Sequence, residues 1–451
     1  MKRYEAYKKT KYDWLPQVPE HWATKTMRSL TTVSSERLGE NTAELLSVYR
    51  EYGVVIKSSR DDNRNVESED LSNYKVVQKG DLVMNKMKMW QGSLGVSEFD
   101  GIVSPAYIVC HINGDDINRR YMHTLLRSAC FKTYYNQYSY GVRVGQWDMH
   151  YEDFKGLEVS LPPRAEQDQI VRYLDWQVSK INRLIAAKRR QIQLLENATN
   201  FKLEQVLQNG LHGEILVETG NPWMSVAPKS WRKVRHKNVL TEKKTLVGEN
   251  HSQHTLLSLT TKGVIIRDIS SGKGKFPSDF STYQVVEPSD MVFCLFDVDE
   301  TPRTVGLSDN TGMITGAYTV FQPHDALPEY LLLYFTVIDN KKGFKPIYSG
   351  LRKVIGKDTF ARQTMFLPSI EEQKEIVESI ASLRNKNVKA VELFEKEIET
   401  LVELRTRLIS DVVTGQIDVR GIEVPDFEFT PDVDSAEADA EDETEPEDEE
   451  V

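Results

Sequence analysis

The sequence predicts a duplicated α/β fold, with two α/β domains separated by a pair of long antiparallel coiled-coil helices. Three observations predict it. Short motifs recur in one common order about 200 residues apart. Each copy ends in 44 residues free of Gly and Pro, Glu166–Asn209 and Glu371–Thr414. Before each of these lie β-rich runs punctuated by Gly and Asn-Gly turns, such as Gly53-Val54-Val55-Ile56 and Gly101-Ile102-Val103-Ser104. At 451 residues the chain is also too long for one compact core.

The repeat is read from its matched blocks. Pro19-Glu20-His21-Trp22 is answered by Pro228-Lys229-Ser230-Trp231, and Leu45-Leu46-Ser47-Val48 by Leu256-Leu257-Ser258-Leu259. Gly141-Val142-Arg143 corresponds to Gly350-Leu351-Arg352. The clearest block is Leu161-Pro162-Pro163-Arg164-Ala165-Glu166-Gln167 against Leu367-Pro368-Ser369-Ile370-Glu371-Glu372-Gln373, followed by Ile170-Val171 and Ile376-Val377. Each match is short, but their shared order is not a chance pattern. The expected divisions are a domain over 1–163, a first long helix and turn over 164–214, a second domain over 215–368, a second long helix over 369–415, and an acidic tail over 416–451.

A Gly- and Pro-free stretch of this length reads as one helix, about 65 Å long at 1.5 Å per residue. In the first, Val171, Leu174, Val178, Ile181, Ile185, Ile192 and Leu195 form a seam at steps of three and four, broken by Lys188. That spacing calls for a partner helix. The second stretch supplies one through Ile380, Leu383, Phe394 and Leu401, with Asn387 as a register-setting polar residue on the seam. The simpler alternative packs each helix on its own domain.

Composition excludes several classes. No apolar run approaches the ~20 residues of a membrane span, and Met1-Lys2-Arg3-Tyr4-Glu5 lacks the apolar core of a signal peptide. A cytoplasmic protein is expected. Cys110, Cys130 and Cys294 are far apart and read as core thiols. The net charge is −11, but 14 acidic residues and no basic ones fall between Asp426 and Val451. Removing them leaves 54 of the 68 acidic residues against 57 basic, so the body permits DNA binding through local basic patches. The tail is too charged to fold alone.

Catalytic machinery is not legible. Gly272-Lys273-Gly274-Lys275 lacks the spacing of a phosphate-binding loop, and no His/Cys set has metal-ligand spacing. The pair His251 and His254 reads as solvent-facing. A non-catalytic chain is expected, with no metal of its own.

Two domains, each followed by Leu-Pro, Glu-Gln-x-x-Ile-Val and a long helix, resemble the specificity subunits of type I restriction-modification enzymes. The carrying residues are Leu161-Pro162-Pro163, Glu166-Gln167 and Ile170-Val171, then Leu367-Pro368, Glu372-Gln373 and Ile376-Val377, supported by the Trp22 and Trp231 motifs. The likeness covers roughly residues 12–420, and the acidic tail has no counterpart in it. The resemblance implies that each domain is a target-recognition domain reading one half of a split, asymmetric double-stranded DNA site. It implies that the helices set the gap and dock two methyltransferase subunits, with restriction-translocase subunits joining for cleavage. S-adenosylmethionine, ATP and Mg2+ belong to those partners, leaving no cofactor in this chain. The competing reading is a non-catalytic coiled-coil scaffold whose two heads bind ligands other than DNA.

Base and phosphate contacts need Arg, Lys and amide side chains near a groove. In the first domain, Lys86, Lys88 and Gln91 flank Trp90, and Tyr140, Arg143 and Gln146 precede Trp147. In the second, Arg352 and Lys353 repeat the Gly-x-Arg element, and Lys273, Lys275 and Arg303 are further candidates. Each also reads as an ordinary polar surface loop. The counterpart of the lysine-rich segment, Cys294–Thr304, is acidic, as expected of heads that read different sequences.

Overall fold

The computed structural model describes residues 2–50, 52–59, 70–143, 146–267 and 280–431; of residues 142, 143, 146, 250 and 252 it describes the backbone. The chain forms two compact units, Met1–Arg190 with Phe394–Val451, and Gln191–Leu393. Each contains one α/β domain and about half of each long helix.

In the first unit the chain runs through β1 (Ala23–Thr26), β2 (Thr31–Val33), β3 (Leu82–Asn85), β4 (Leu94–Val96) and β5 (Tyr107–Ile112). It continues through α1 (Arg119–Arg127), α2 (Ala129–Tyr138), β6 (Tyr140–Arg143), β7 (Gln146–Asp148) and β8 (Glu158–Leu161), and then enters the long helix α3 (Arg164–Asn209). The second unit repeats the plan with β9 (Arg232–Arg235), β10 (Leu240–Lys243), β11 (Met291–Phe293), β12 (Val305–Leu307), β13 (Thr319–Pro323), α4 (Pro328–Asn340), β14 (Thr364–Leu367) and the long helix α5 (Ile370–Val413). The main sheets are antiparallel and share one strand order, β2-β5-β3-β4 in the first and β10-β13-β11-β12 in the second.

Alternation along the strands buries both faces of each sheet. Leu82, Met84 and Cys110 enter the main core with Tyr121 and Tyr135, whereas Val83 and Val109 join Leu46, Val48 and Val54 behind the sheet. In the second domain Met291, Phe293 and Phe321 face the main core, and Val292 and Val320 the rear one. Cys110 and Cys294 are buried free thiols and Cys130 is half-buried; burial pushes Cys110 up to about 12.

The repeated motifs are fasteners between domain and helix. Strand β8, which carries Leu161, pairs with β1 directly after Trp22, and β14, which carries Leu367, pairs with β9 directly after Trp231. In the first turn of α3, the Glu166 carboxylate, 6% exposed, accepts from Tyr4 Oη at 2.6 Å and Trp22 Nε1 at 3.0 Å, with His21 Nε2 at 2.8 Å. Glu372 accepts from Trp231 Nε1 at 3.0 Å. The neighbouring Gln167 donates to the Pro162 carbonyl at 2.9 Å and accepts from Asn118 N at 2.8 Å, and Gln373 does the same with Pro368 and Leu327. Each Glu-Gln pair thus satisfies buried polar groups that would otherwise cost about 1–3 kcal/mol apiece.

Within each unit the long helices run antiparallel. In the first, Asn182 meets Arg405 at 2.8 Å, and Lys188, the break in the seam, reaches Glu397 at 2.6 Å and lies over the Phe394 ring. In the second, Asn387 donates to Thr199 Oγ1 at 2.7 Å, while Leu211 N and Glu372 meet further on. Leu174, Ile181, Ile185 and Ile380 are buried; Val171, Val178, Ile192, Leu195, Leu383, Phe394 and Leu401 are half-buried. The seam therefore closes fully only near the domains.

Both helices end at a left-handed glycine. A Cβ on Gly415 would lie 2.4 Å from Pro19 Cδ, and one on Gly210 would lie 3.1 Å from Pro228 Cγ. The expected acidic tail does not begin at 416. Residues 416–431 instead pack on the first unit, with Val419 and Val424 buried and Ile417, Ile422 and Phe427 against the core. Their spaced apolar side chains provide the anchorage. Among the described residues no helix is long and apolar enough to cross a membrane.

Candidate nucleic-acid interface

The two segments singled out in the first domain meet on one surface. After β3, Asn85 caps a helical turn by accepting from Met87 N at 3.1 Å, and Gly92, at φ 94°, ends that turn. The β6–β7 hairpin lies beside it: Met149 N donates to the Lys86 carbonyl, Lys86 Nζ pairs with Asp148 at 2.9 Å, and Trp90 meets Trp147 edge-on at 5.2 Å. Lys88 is exposed and forms no ion pair with a described residue, and Gln91 is half-buried. Tyr140 is 58% exposed with its ring 5.3 Å from His150. The backbone of Arg143 and Gln146 pairs at the hairpin end, while their side chains lie outside the described atoms.

The second domain places the counterpart segments together in the same way. Ser349 and Val354 exchange two backbone bonds of 3.0 Å, closing a tip of Gly350, Leu351, Arg352 and Lys353. Leu351 is fully exposed, and Arg352 has 78% of its side chain exposed. The tip rests on the acidic segment: Asp297 N donates to the Arg352 carbonyl at 2.9 Å, and the Arg352 guanidinium sits 5.8 Å over the Phe296 ring. Lys353 pairs with Glu300 at 2.9 Å and Asp299 at 3.5 Å. Asp297 and Lys353 both hold positive φ, 46° and 45°. Non-glycine residues bear about 1 kcal/mol or more in that region, a strain that clusters at functional surfaces.

Arg303 is placed elsewhere. It bonds Asp339 Oδ2 at 3.1 Å and Asn340 Oδ1 at 3.0 Å at the end of α4, beside a cleft of about 660 Å³ that Phe201 and Arg384 also line. Lys273 and Lys275 lie outside the described residues. The two surfaces therefore differ in charge. Lys88 is exposed two residues before Trp90 in the first domain, and Arg352 is exposed but lies 3.9 Å from the Asp297 carboxylate in the second. No group of three or more His, Cys, Asp or Glu residues among those described could hold a metal ion.

Sequence reasoning missed that Glu166, Gln167, Glu372 and Gln373 act inside the chain. Their signal was a Glu-Gln pair at the first turn of a helix, where a carboxylate is favoured and a buried donor needs an acceptor. It also missed the packed segment 416–431, whose spaced apolar positions 417, 419, 422, 424 and 427 were the available sign.

No protein-family model matches the chain, and no curated protein matches it. Solved structures do. A chain from a type I R-M system, studied for its complex assembly and conformational transition, overlays with a TM-score of 0.60 at 13% identity, covering 89% of this chain and 99% of that one. The HsdS subunit from Thermoanaerobacter tengcongensis gives 0.45 at 15% identity, over 89% and 98% of the two chains. A type I restriction-modification S subunit from M. genitalium gives 0.31 at 13% identity, over 90% and 97%. The first overlay establishes a shared fold along nearly the whole length of both chains.

Proposed function

We propose that this chain is the DNA-specificity subunit of a type I restriction-modification complex. The carrying observation is a fold shared over 99% of a type I R-M system chain. In this reading each domain recognises one half of a split DNA site. The tip carrying Arg352, with the turn carrying Lys88, supplies base and phosphate contacts. The long helices fix the separation of the half-sites and present surfaces to two methyltransferase subunits, and restriction subunits bind that assembly. Adenine methylation and cleavage belong to those partners, together with S-adenosylmethionine, ATP and Mg2+. This chain selects the site and performs no chemistry.

The test is sequencing of methylated bases in a host carrying the chain with its methyltransferase. The expected result is adenine methylation within one two-part asymmetric motif. Arg352→Ala should weaken retention of a duplex bearing that motif about 10- to 100-fold, the worth of one bidentate base contact, and relax sequence preference in one half only. Arg143→Ala should do so in the other half. Absence of a split motif, or unchanged discrimination in both variants, refutes the reading.

A further inference from the structure

Residues 432–451, 12 of them acidic and none basic, play no part in the proposed function. Their point of departure is defined by the packed segment before them. The carbonyls of Val419 and Ile422 accept from Gln169 Nε2 at 3.1 and 2.7 Å, and that of Val424 from Arg172 at 3.1 Å. Further on, Thr430 N donates to Ser179 Oγ and the Thr430 carbonyl accepts from Asn182 Nδ2, both at 3.0 Å. The partners 169, 172, 179 and 182 rise along α3, so the segment advances along the helix toward higher numbers.

The helix surface in its path has the opposite charge. From Trp176 to Leu195, α3 carries Lys180, Arg183, Lys188, Arg189 and Arg190 and no acidic residue. Lys180 and Arg183 are exposed and form no ion pair with any described residue: Lys180 Nζ lies over the Trp176 ring and Arg183 donates to the Ser179 carbonyl. The facing helix α5 offers Glu397, which is taken by Lys188, while Glu395, Glu399 and Glu403 pair with neither Lys180 nor Arg183. From Asn182 to Arg190 the helix rises only about 12 Å. Four or five extended residues cover that distance.

We infer that residues 432–451 dock on the basic face of α3 between Lys180 and Arg190 of the same chain, screening it from other polyanions. Single exposed ion pairs are weak. Tethering at Thr430 compensates, since a short linker raises the effective concentration to about the millimolar range. The contact is electrostatic and exposed, so salt releases it.

The test is zero-length carbodiimide cross-linking of the full chain, mapped by mass spectrometry. Amide links should join Lys180 and Lys188 to carboxylates of 432–451 at low salt. They should be independent of protein concentration and lost at ~0.5 M salt, where the screening length falls to a few ångströms. Lys180→Glu with Arg183→Glu should abolish the remaining link to Lys188. A full-length variant with the Asp and Glu of 432–451 changed to Asn and Gln should bind a random-sequence duplex several-fold tighter at low salt. Links spread over surface lysines without preference, links between copies that grow with concentration, or unchanged duplex affinity in that variant overturn the inference. None of these readouts depends on the type I assignment.

Discussion

Replacing Glu166 by Ala isolates the clamp between the first domain and α3. The substitution leaves the buried Trp22 indole N–H and Tyr4 hydroxyl without their acceptor. Each orphaned donor costs about 1–3 kcal/mol, so the pair amounts to about 2–6 kcal/mol. His21 is 39% exposed and re-solvates, so it adds little. The same change at Glu372 orphans the Trp231 indole and loses only a long 3.4 Å contact to Leu211 N, for about 1–3 kcal/mol. Domain stability is about 5–15 kcal/mol, so Glu166→Ala removes a large share of it. Two units need not unfold together, so local opening is the proper readout. Hydrogen exchange by mass spectrometry should show segments around Trp22 and the start of α3 opening about 30-fold more often or beyond. The α4 segment of the second unit should be unchanged. Opening within three-fold of the parent, or a larger effect from Glu372→Ala on its own unit, refutes the clamp.

Two further outcomes follow from burial. His236 is fully buried against Phe335 and Phe360, and burial holds its imidazole down at about 3. The ring is neutral in the fold, and unfolded histidine binds a proton near pH 6.5. Its contribution is therefore intact above that pH and is lost toward pH 3, by at most about 1.4 kcal/mol per pH unit. Urea unfolding at about pH 8 and about pH 5 should show a shallower loss in His236→Leu than in the parent, and equal losses contradict the assignment. Ile185 is buried in the helix pair whereas Val178 is half-buried, so Ile185→Glu should cost several kcal/mol and Val178→Glu clearly less. Circular dichroism in urea measures both, and equal midpoints would falsify the seam as described.

The duplication was legible because fasteners constrain sequence. Trp22 with Glu166 and Trp231 with Glu372 need particular side chains at fixed places, and their spacing survives divergence. The helices were legible because a seam must recur every three or four residues. Individual DNA-facing residues were not, since a lysine in a polar loop has the same local sequence whether it reaches solvent or a carboxylate. Lys86 meets Asp148 and Lys353 meets Glu300 through partners tens of residues away, and Arg303 turns to Asp339 at the end of α4. Residues 416–431 escaped for a related reason: their carbonyls are held by Gln169, Arg172 and Asn182, donors some 250 residues earlier in the chain.

The tip carrying Arg352 stands outside both layers of apolar packing, and this sets how the protein can change over generations. A substitution at Leu351 or Arg352 displaces no core atom, so it is filtered by what the protein selects and hardly at all by whether it folds. A substitution at Trp22 or Glu166 faces the reverse filter. Sequences descended from a common parent should therefore move at two speeds, nearly still at the fasteners and quickly at the tip. The present halves already show the result, with an exposed lysine in one and a bed of carboxylates in the other, on scaffolds that have kept the same strand order.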